Sequence, residues 1–308
     1  MNKVLRIATV MLTLVAWAVP SAWAEDEKPF ITFKTNIFNE YGETNKFSIL
    51  LSSTKKEYFD IDLGFGRNEV EIEPATYNPE TGALEGTLIP CRVSKEGVVR
   101  IYGDPSLIDV VNFEGCYITE LDMNACTNLE IINLSHNELK ALDLTPFKKA
   151  QAIYMSDNPF TAATPLKIGA PKPDLQILEV DIIGHFDQGF NLSDYPSLVT
   201  FDGYHNLDLY KIDPTGCPNL RVLSLDMTNV SSVDVSKNPL LMRLNVSDSR
   251  VTSLDLSHNE GLQMLFAGHM SGSINTTYKF SSIVLSKNPY LMVLNLNGNN
   301  LKQIDLTH

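Results

Sequence analysis

A repeated pattern of the type Leu-Asp-Leu places carboxylates at matching positions, and this column is the most prominent candidate for chemistry. If the repeats stack as strands ~4.8 Å apart, like charges would raise the carboxylate pKa values or attract cations. The alternative is that each aspartate is bonded by a nearby hydroxyl. We favour this alternative and expect no metal site. Calcium takes about 6–8 oxygen ligands, and carboxylates in adjacent strands rarely supply that many. The column comprises Asp122, Asp143, Asp213, Asp234, Asp255 and Asp305.

Catalysis is not indicated by any motif. The sequence has no G-x-S-x-G elbow, H-E-x-x-H pair or GK[ST] loop, which are the arrangements that supply a nucleophile, a zinc site or a phosphate cradle. Asp202, Tyr204 and His205 could be drawn as a catalytic cluster. They are local neighbours on alternating sides, however, with no obvious nucleophile or oxyanion pocket. We expect no catalytic residue and no cofactor.

Composition narrows the classes of partner. The chain has 308 residues, with 24 Lys+Arg against 37 Asp+Glu and a formal net charge of −13. This acidity argues against sequence-independent nucleic-acid binding and against adsorption to anionic membranes, since both depend on basic side chains. No segment after the amino terminus is apolar enough to insert into a membrane.

The amino terminus has the three parts of a secretory signal over residues 1–24. Lys3 and Arg6 precede an apolar run, and Ala22-Trp23-Ala24 forms an A-x-A cleavage pattern. The alternative, a membrane anchor, is disfavoured because the run falls short of the ~20 residues that span a bilayer. We expect an exported protein that is secreted, periplasmic or on the cell surface.

Residues 25–105 carry a period-two pattern between turn-forming stretches, which predicts a small antiparallel β-sandwich acting as a cap or spacer. The strand-like segments are 30–33, 47–51, 58–63, 70–72 and 98–102.

From residue 106 to residue 308 the chain is self-similar, and we expect about nine coils. In an L-x-L stretch the two aliphatic side chains point inward and the residue between them points to solvent. One coil cannot bury its apolar face alone, so stacked coils share one core and form a solenoid with parallel strands. The asparagine that ends each half should bond the backbone where the chain turns. The leading aliphatic positions are Ile108, Leu129, Ala150, Leu175, Leu198, Leu220, Leu241, Leu262 and Leu291.

The segment Leu241–Asn259 reads L-x-x-L-x-V followed by a V-x-x-L-D-L-S-x-N half. With valine in two of the leucine positions, it resembles the leucine-rich repeat family, whose unit is L-x-x-L-x-L-x-x-N/C-x-L. The 21-residue form with the L-D-L-S half looks most like the internalin-J type of bacterial surfaces. The resemblance covers about residues 108–308. It implies a curved scaffold that recognises a macromolecule on its concave strand side, preceded by a β-rich cap. It implies no particular partner.

The four cysteines are Cys91, Cys116, Cys126 and Cys217. The last three fall in the asparagine columns, where the repeat motif accepts asparagine or cysteine. By analogy with that motif we expect buried thiols rather than disulfides, although an exported protein could form them. The absence of any C-x-x-C pair in the sequence disfavours zinc.

The outward residues of the first-half strands are the candidate binding surface. Aromatic side chains among acids and amides supply contact area together with polar orientation, as recognition surfaces need; the alternative is ordinary scattered surface residues. A binding loop over residues 268–282 is a further expectation. The candidate partner-binding residues are Tyr154, Glu179, Asp202, Tyr204, His205, Phe266 and His269.

These observations predict an exported binding or adhesion protein whose repeat surface recognises an extracellular protein or glycan. The alternative is a non-catalytic structural spacer or surface-assembly component. The last coil reaches Ile304-Asp305-Leu306 without a polar cap, and repeat arrays normally shield an open end. We therefore expect self-association through that coil or a natural chain that continues beyond it.

Overall fold

The computed structural model describes residues 6–7, 28–37, 46–78, 83–185, 190–270, 277–304 and 306. The chain divides into two compact units, one of Met1–Lys140 with Pro146–Ala150 and one of Ala141–Thr145 with Gln151–His308. The signal peptide over residues 1–24 lies outside the described part except for a two-residue strand, and it stays a prediction. Within the described residues, no helix has the length and apolar character needed to cross a membrane.

In its described residues, the first unit contains twelve strands and one short 3-10 helix, Pro105–Leu107. The strands are β1 (Arg6–Ile7), β2 (Ile31–Thr35), β3 (Lys46–Ser53), β4 (Glu57–Asp62), β5 (Arg67–Ile72), β6 (Thr76–Asn78), β7 (Ala83–Glu85), β8 (Thr87–Arg92), β9 (Val98–Tyr102), β10 (Ile108–Asn112), β11 (Ile118–Asp122) and β12 (Ile131–Asn133).

Two sheets form a sandwich in this unit. One has the antiparallel order β11-β2-β9-β4-β5, and the other joins β8, β3, β10 and β12. Phe33 of β2 lies 6.1 Å from Phe47 of β3 and 5.2 Å from Phe113, measured between ring centroids. These contacts between the sheets bury a shared apolar layer, and the predicted antiparallel β-sandwich is confirmed.

Strand β10 is where the pairing changes from antiparallel to parallel. Val111 is in register with Leu51 of β3 on one side and with Ile132 of β12 on the other. The first two repeat strands therefore belong to the same compact unit as the sandwich strands.

The second unit is a parallel solenoid. Consecutive strands pair in chain order, each with the next, and one short 3-10 helix, Leu192–Asp194, lies between two of them. The strands are β13 (Ala152–Tyr154), β14 (Ile177–Glu179), β15 (Thr200–Asp202), β16 (Val222–Ser224), β17 (Arg243–Asn245), β18 (Met264–Phe266) and β19 (Val293–Asn295).

The middle residue of each of these strands points into the apolar core. Leu223, Leu244 and Leu265 are in register with one another and have no exposed surface. Complete burial of one such leucine side chain stabilises the folded state by about 1.5–3 kcal/mol. The predicted solenoid of stacked aliphatic positions is confirmed.

Asparagines connect the coils where the strands end. The Nδ2 group of Asn206 donates to Val180 O at 2.8 Å and to Gly203 O at 3.1 Å. In the second half of the coils, Asn259 Nδ2 donates to Val235 O at 3.0 Å and to Asn238 O at 2.9 Å. These fully buried amide groups find backbone acceptors inside the solenoid and connect one coil to the next, as the sequence predicts.

Candidate functional site on the strand face

The last residues of strands β13–β19 form one continuous row on the outer side of the parallel sheet. Side chains alternate between the two sides of a strand, so the residues after each buried middle position face outward together. We call this set the strand-face row. In register order it consists of Tyr154, Glu179, Asp202, Ser224, Asn245, Phe266 and Asn295.

Four of the seven predicted binding residues lie in the strand-face row, namely Tyr154, Glu179, Asp202 and Phe266. All four are partly exposed.

The turn after β15 brings two more predicted residues to the same place. The backbone N–H of Tyr204 donates to Asp202 Oδ1 at 3.0 Å. His205 follows in a left-handed conformation with φ of 56°, and its ring centroid lies 5.7 Å from that of Tyr204. Both side chains are partly exposed. Tyr204 and His205 therefore form an aromatic pair beside the carboxylate of Asp202.

Carboxylates in neighbouring coils are held at raised pKa values. Burial raises the pKa of Glu179 to about 7, and the nearby charges of Asp202 and Asp181 add to the effect. Burial also raises the pKa of Asp202, although the hydrogen bond from Tyr204 opposes the shift. Burial likewise raises the pKa of the Tyr154 hydroxyl, with Glu179 as the second cause. Ionisation of these carboxyl groups is therefore unfavourable in the free chain, and a nearby positive charge would favour it.

Sequence reasoning missed Asp226 as part of this surface. Burial raises its pKa to about 6, and the charge of Asp248 contributes. Asp226 follows Ser224 by two residues, as Tyr204 follows Asp202, and Asp181 follows Glu179. Aligning the repeats in the sequence on the last residue of each strand would have placed Asp226 at the same position as Tyr204 and Asp181.

His269 departs from the outward orientation expected for it. Only 6% of its surface is exposed, and its Nδ1 lies 3.7 Å from Asp248 Oδ1. Burial lowers the pKa of His269, although the charge of Asp248 acts in the opposite direction. The physical reason is its position: the coil that follows closes over the turn, and the N–H of His269 donates to Asn297 O at 2.7 Å.

The aspartate column follows the interpretation favoured from the sequence, in which each carboxylate is bonded locally. Asp213, Asp234 and Asp255 each accept the N–H of the residue two positions later, at 2.9–3.0 Å. Hydrogen bonds from Thr215, Ser236 and Ser257, respectively, lower the pKa of these carboxyls. The other interpretation, a row of raised pKa values, does not hold at these three positions because each carboxylate is exposed and accepts within its own turn.

In the described part of the second unit, the Leu-Asp-Leu segments form no second strand, and Asp143 makes an isolated parallel bridge with Lys167. Asp305 lies outside the described residues. No group of three or more His, Cys, Asp or Glu side chains that could hold a metal ion occurs in the described ranges.

All four cysteines are free and buried. Burial raises the pKa of Cys91, Cys126 and Cys217 to about 12 and also raises that of Cys116. Cys217 Sγ lies 3.1 Å from Leu192 O, within hydrogen-bond distance, in the position that asparagine takes in later coils. Cys116, Cys126 and Cys217 are part of the interior of the coils, as predicted, and Cys91 lies in β8 of the sandwich.

In-register parallel strands, buried leucines and amide ladders together decide the architecture. The repeat region is a parallel solenoid with the coil architecture of leucine-rich repeats. The fold that the resemblance implies is thereby confirmed. Neither a protein-family model nor a curated protein sequence matches this chain.

Several solved structures are similar to this leucine-rich-repeat chain. The functional domain of InlJ from Listeria monocytogenes, which includes a cysteine ladder, is 17% identical, with 67% of each chain covered and a TM-score of 0.27. An internalin C2 from the same organism is 18% identical over 70% of this chain and 88% of its own, with a TM-score of 0.40. A leucine-rich-repeat protein from Leptospira interrogans is also 18% identical, over 64% and 66%, with a TM-score of 0.40.

Proposed function

We propose that this leucine-rich-repeat protein is exported and binds or adheres to an extracellular protein or glycan through its strand face. The observation that carries the proposal is the in-register strand-face row, which presents polar and aromatic side chains from seven consecutive strands. A surface of this kind combines orientation by polar groups with the contact area of rings.

The aromatic positions are the expected anchors of binding. Tyr154, Tyr204 and Phe266 are partly exposed, and large aromatic side chains dominate the binding energy of most interfaces. The guanidinium of Arg243 lies 5.3 Å from the centre of the Phe266 ring, which holds an exposed cation against that aromatic face. The strand face therefore offers apolar, acidic and basic groups to a partner on one side of the sheet.

Export is supported by the basic, apolar and A-x-A segments at the amino terminus. The location we propose is secreted, periplasmic or on the cell surface. We also propose a non-catalytic role, because Asp202, Tyr204 and His205 are engaged in turn formation and ring contact.

The alternative is a structural spacer or surface-assembly component, in which the strand face contacts no partner. The two functions differ in one measurable respect. A binding protein loses affinity when its exposed aromatic anchors are removed, whereas a spacer tolerates the change.

The test is a binding screen against extracellular-matrix proteins and a glycan array. It compares the wild-type chain with a Tyr154→Ala/Tyr204→Ala/Phe266→Ala variant. The matched control is Tyr58→Ala/Phe65→Ala/Tyr210→Ala, which removes three aromatic side chains that are 53%, 70% and 54% exposed away from the row. We expect the first variant to lose about tenfold or more in affinity and the control to bind like wild type. Equal binding by all three would place the site elsewhere.

Self-association is a second candidate role, favoured by the last coil. Its inner positions Leu291, Leu294 and Leu296 are partly exposed, whereas Leu262 and Leu265 of the preceding coil have no exposed surface. Met292 on the same coil is 69% exposed. We propose that a second copy of the chain covers this apolar edge.

A further inference from the structure

A small cavity opens on the strand face between β16 and the turn after β19. Its volume is about 210 Å³. The lining includes the carboxylate of Asp226, the amides of Asn245 and Asn295, the ring of Phe266, and the side chains of Asp248 and His269. The cavity is therefore lined by acidic, aromatic and polar groups.

Polar atoms at this cavity lack partners. Neither ring nitrogen of His269 has a hydrogen-bond partner in the described part of the chain, although the side chain is only 2% exposed. Asp226 Oδ1 is likewise buried without a hydrogen bond. Buried polar groups are almost always satisfied in folded proteins, so these atoms point to a group that enters the cavity.

The chemistry of the unpaired atoms selects the ligand class. A carboxylate oxygen only accepts hydrogen bonds, and a neutral imidazole offers one further acceptor nitrogen. An ammonium group has three donors and no acceptor, so it matches such a site better than a sugar hydroxyl, which brings its own acceptors. Its aliphatic stem would lie along Phe266, where ring and cation attract each other.

The charges around the cavity agree with this choice. Asp248 and Asp202 both act on Asp226, and Asp248 also faces His269. Two basic groups act on residues of the lining: Lys279 acts on His269, and Arg243 contacts Phe266 from the start of β17. Neither of them lines the cavity.

We propose that this cavity receives the side-chain ammonium group of a lysine on the protein partner. The proposal rests on the proposed function, since it assigns a partner group to one point of the strand face. Asp226 accepts from the ammonium group, His269 supplies the second acceptor, and the rim amides orient the peptide that carries the lysine.

The test uses two synthetic peptides, acetyl-Gly-Gly-Lys-Gly-Gly-amide and the same peptide with norleucine in place of lysine. Norleucine keeps the aliphatic stem and removes the charge. Binding is followed on the imidazole signals of His269 in NMR spectra, which a His269→Gln variant identifies. We expect the lysine peptide to shift these signals and the norleucine peptide to leave them unchanged.

Matched variants locate the effect. Asp226→Asn should weaken binding of the lysine peptide about tenfold, because it removes a charge-assisted hydrogen bond. Asp234→Asn removes the same charge from an exposed turn and should bind like wild type. Ser247→Lys places an ammonium group of the chain itself at the cavity, which Ser247 lines, and should abolish peptide binding. Circular dichroism of each variant checks that the fold is intact.

Three results would overturn the proposal. They are equal shifts by both peptides, unchanged affinity in a folded Asp226→Asn variant, and shifts of His269 by neutral oligosaccharides alone. Failure here is distinguishable from failure of the proposed function. A chain that binds a partner through Tyr154, Tyr204 and Phe266 but ignores the lysine peptide keeps its function and loses only this assignment.

Discussion

Glu179 stands directly beside Asp202 in neighbouring parallel strands, with the two residues in register. Adjacent strands in a sheet lie about 4.7–4.9 Å apart, so two carboxyl groups share one side of the sheet at close range. A structure selected only for stability would place opposite charges at such a pair. The two neighbouring carboxyl groups therefore destabilise the folded state, and the loss of stability can be measured.

The first prediction concerns pH. Glu179 has a pKa of about 7 in the folded chain against an ordinary value of 4.5. The folded state therefore holds this proton to higher pH than the unfolded state does, and the free energy of unfolding falls as pH rises from 4.5 to about 7. Glu179→Gln should remove that fall and raise the free energy of unfolding by roughly 1–3 kcal/mol at pH 8.

Urea denaturation at pH 4.5 and at pH 8 measures this difference. The groups that act on Glu179 are Asp181 and Asp202, and both are unchanged in the variant. Glu260→Gln, at an exposed position, is the control and should follow the wild-type profile. A Glu179→Gln variant that retains the wild-type pH dependence would contradict the raised pKa.

The second prediction concerns the core of the solenoid. Leu223 is fully buried at the middle of β16, and Leu223→Ala should lower the free energy of unfolding by about 2–5 kcal/mol through lost burial and the cavity left behind. Leu294 occupies the same position in β19 but is partly exposed. Leu294→Ala should therefore cost clearly less in the same denaturation experiment. Equal losses would show that the last coil is covered.

The third prediction concerns the asparagine ladder. Asn259→Ala removes the hydrogen bonds to Val235 O and Asn238 O, and these carbonyl groups keep only their backbone donors, Asn238 N–H and Leu241 N–H. The free energy of unfolding should drop by about 1–3 kcal/mol, since a typical intramolecular hydrogen bond contributes about 0.5–1.5 kcal/mol. Asn300→Ala, at an exposed position, should change it by less than about 0.5 kcal/mol. Thermal unfolding followed by circular dichroism distinguishes the two variants.

The fourth prediction concerns the thiols. Burial and raised pKa values keep all four cysteines unreactive in the folded chain, because the thiolate is the reactive form. Titration with Ellman's reagent at pH 8 should detect almost no thiol under native conditions. In guanidinium chloride it should detect all four. Detection of only two after unfolding would reveal a disulfide.

The fifth prediction concerns the last coil. Light scattering should show dimers that increase with concentration, and Val293→Lys should shift them to monomers by placing a charge on the exposed edge strand. Leu240→Lys, which also replaces an exposed apolar side chain (43% against 38% for Val293), is the control and should leave dimerisation unchanged. A wild-type chain that is monomeric at every concentration would contradict self-association.

Much of the fold follows from local pattern. Leu223, Leu244 and Leu265 recur at regular spacing, and alternation along a strand turns that spacing into a buried column. Asn238 and Asn259 could likewise be placed in a ladder, because a short amide at the end of a coil can reach only the backbone nearby. Tyr154, Glu179, Asp202 and Phe266 were assigned to one face by the same alternation.

Burial and charge could not be assigned in this way, because they depend on residues from other coils. Spacing alone leaves two interpretations of the Leu-Asp-Leu column, repelling charges or locally bonded carboxylates, and Asp213, Asp234 and Asp255 are turn acceptors in solvent with lowered pKa values. Raised pKa values occur instead at Glu179 and Asp226, where burial is the main cause and neighbouring carboxylates add to it. His269 was expected outside and is covered by the coil that follows.

The sequence by itself thus determined the period, the inward aliphatic positions and the identity of the strand-face row, since these are properties of a single coil repeated along the chain. The tertiary structure alone decided which polar side chains lose their water and which atoms meet across the stack. The physical reason is that desolvation and Coulomb interactions depend on distances in three dimensions. The sequence of one coil does not give the distance between its charged groups and those of the next coil.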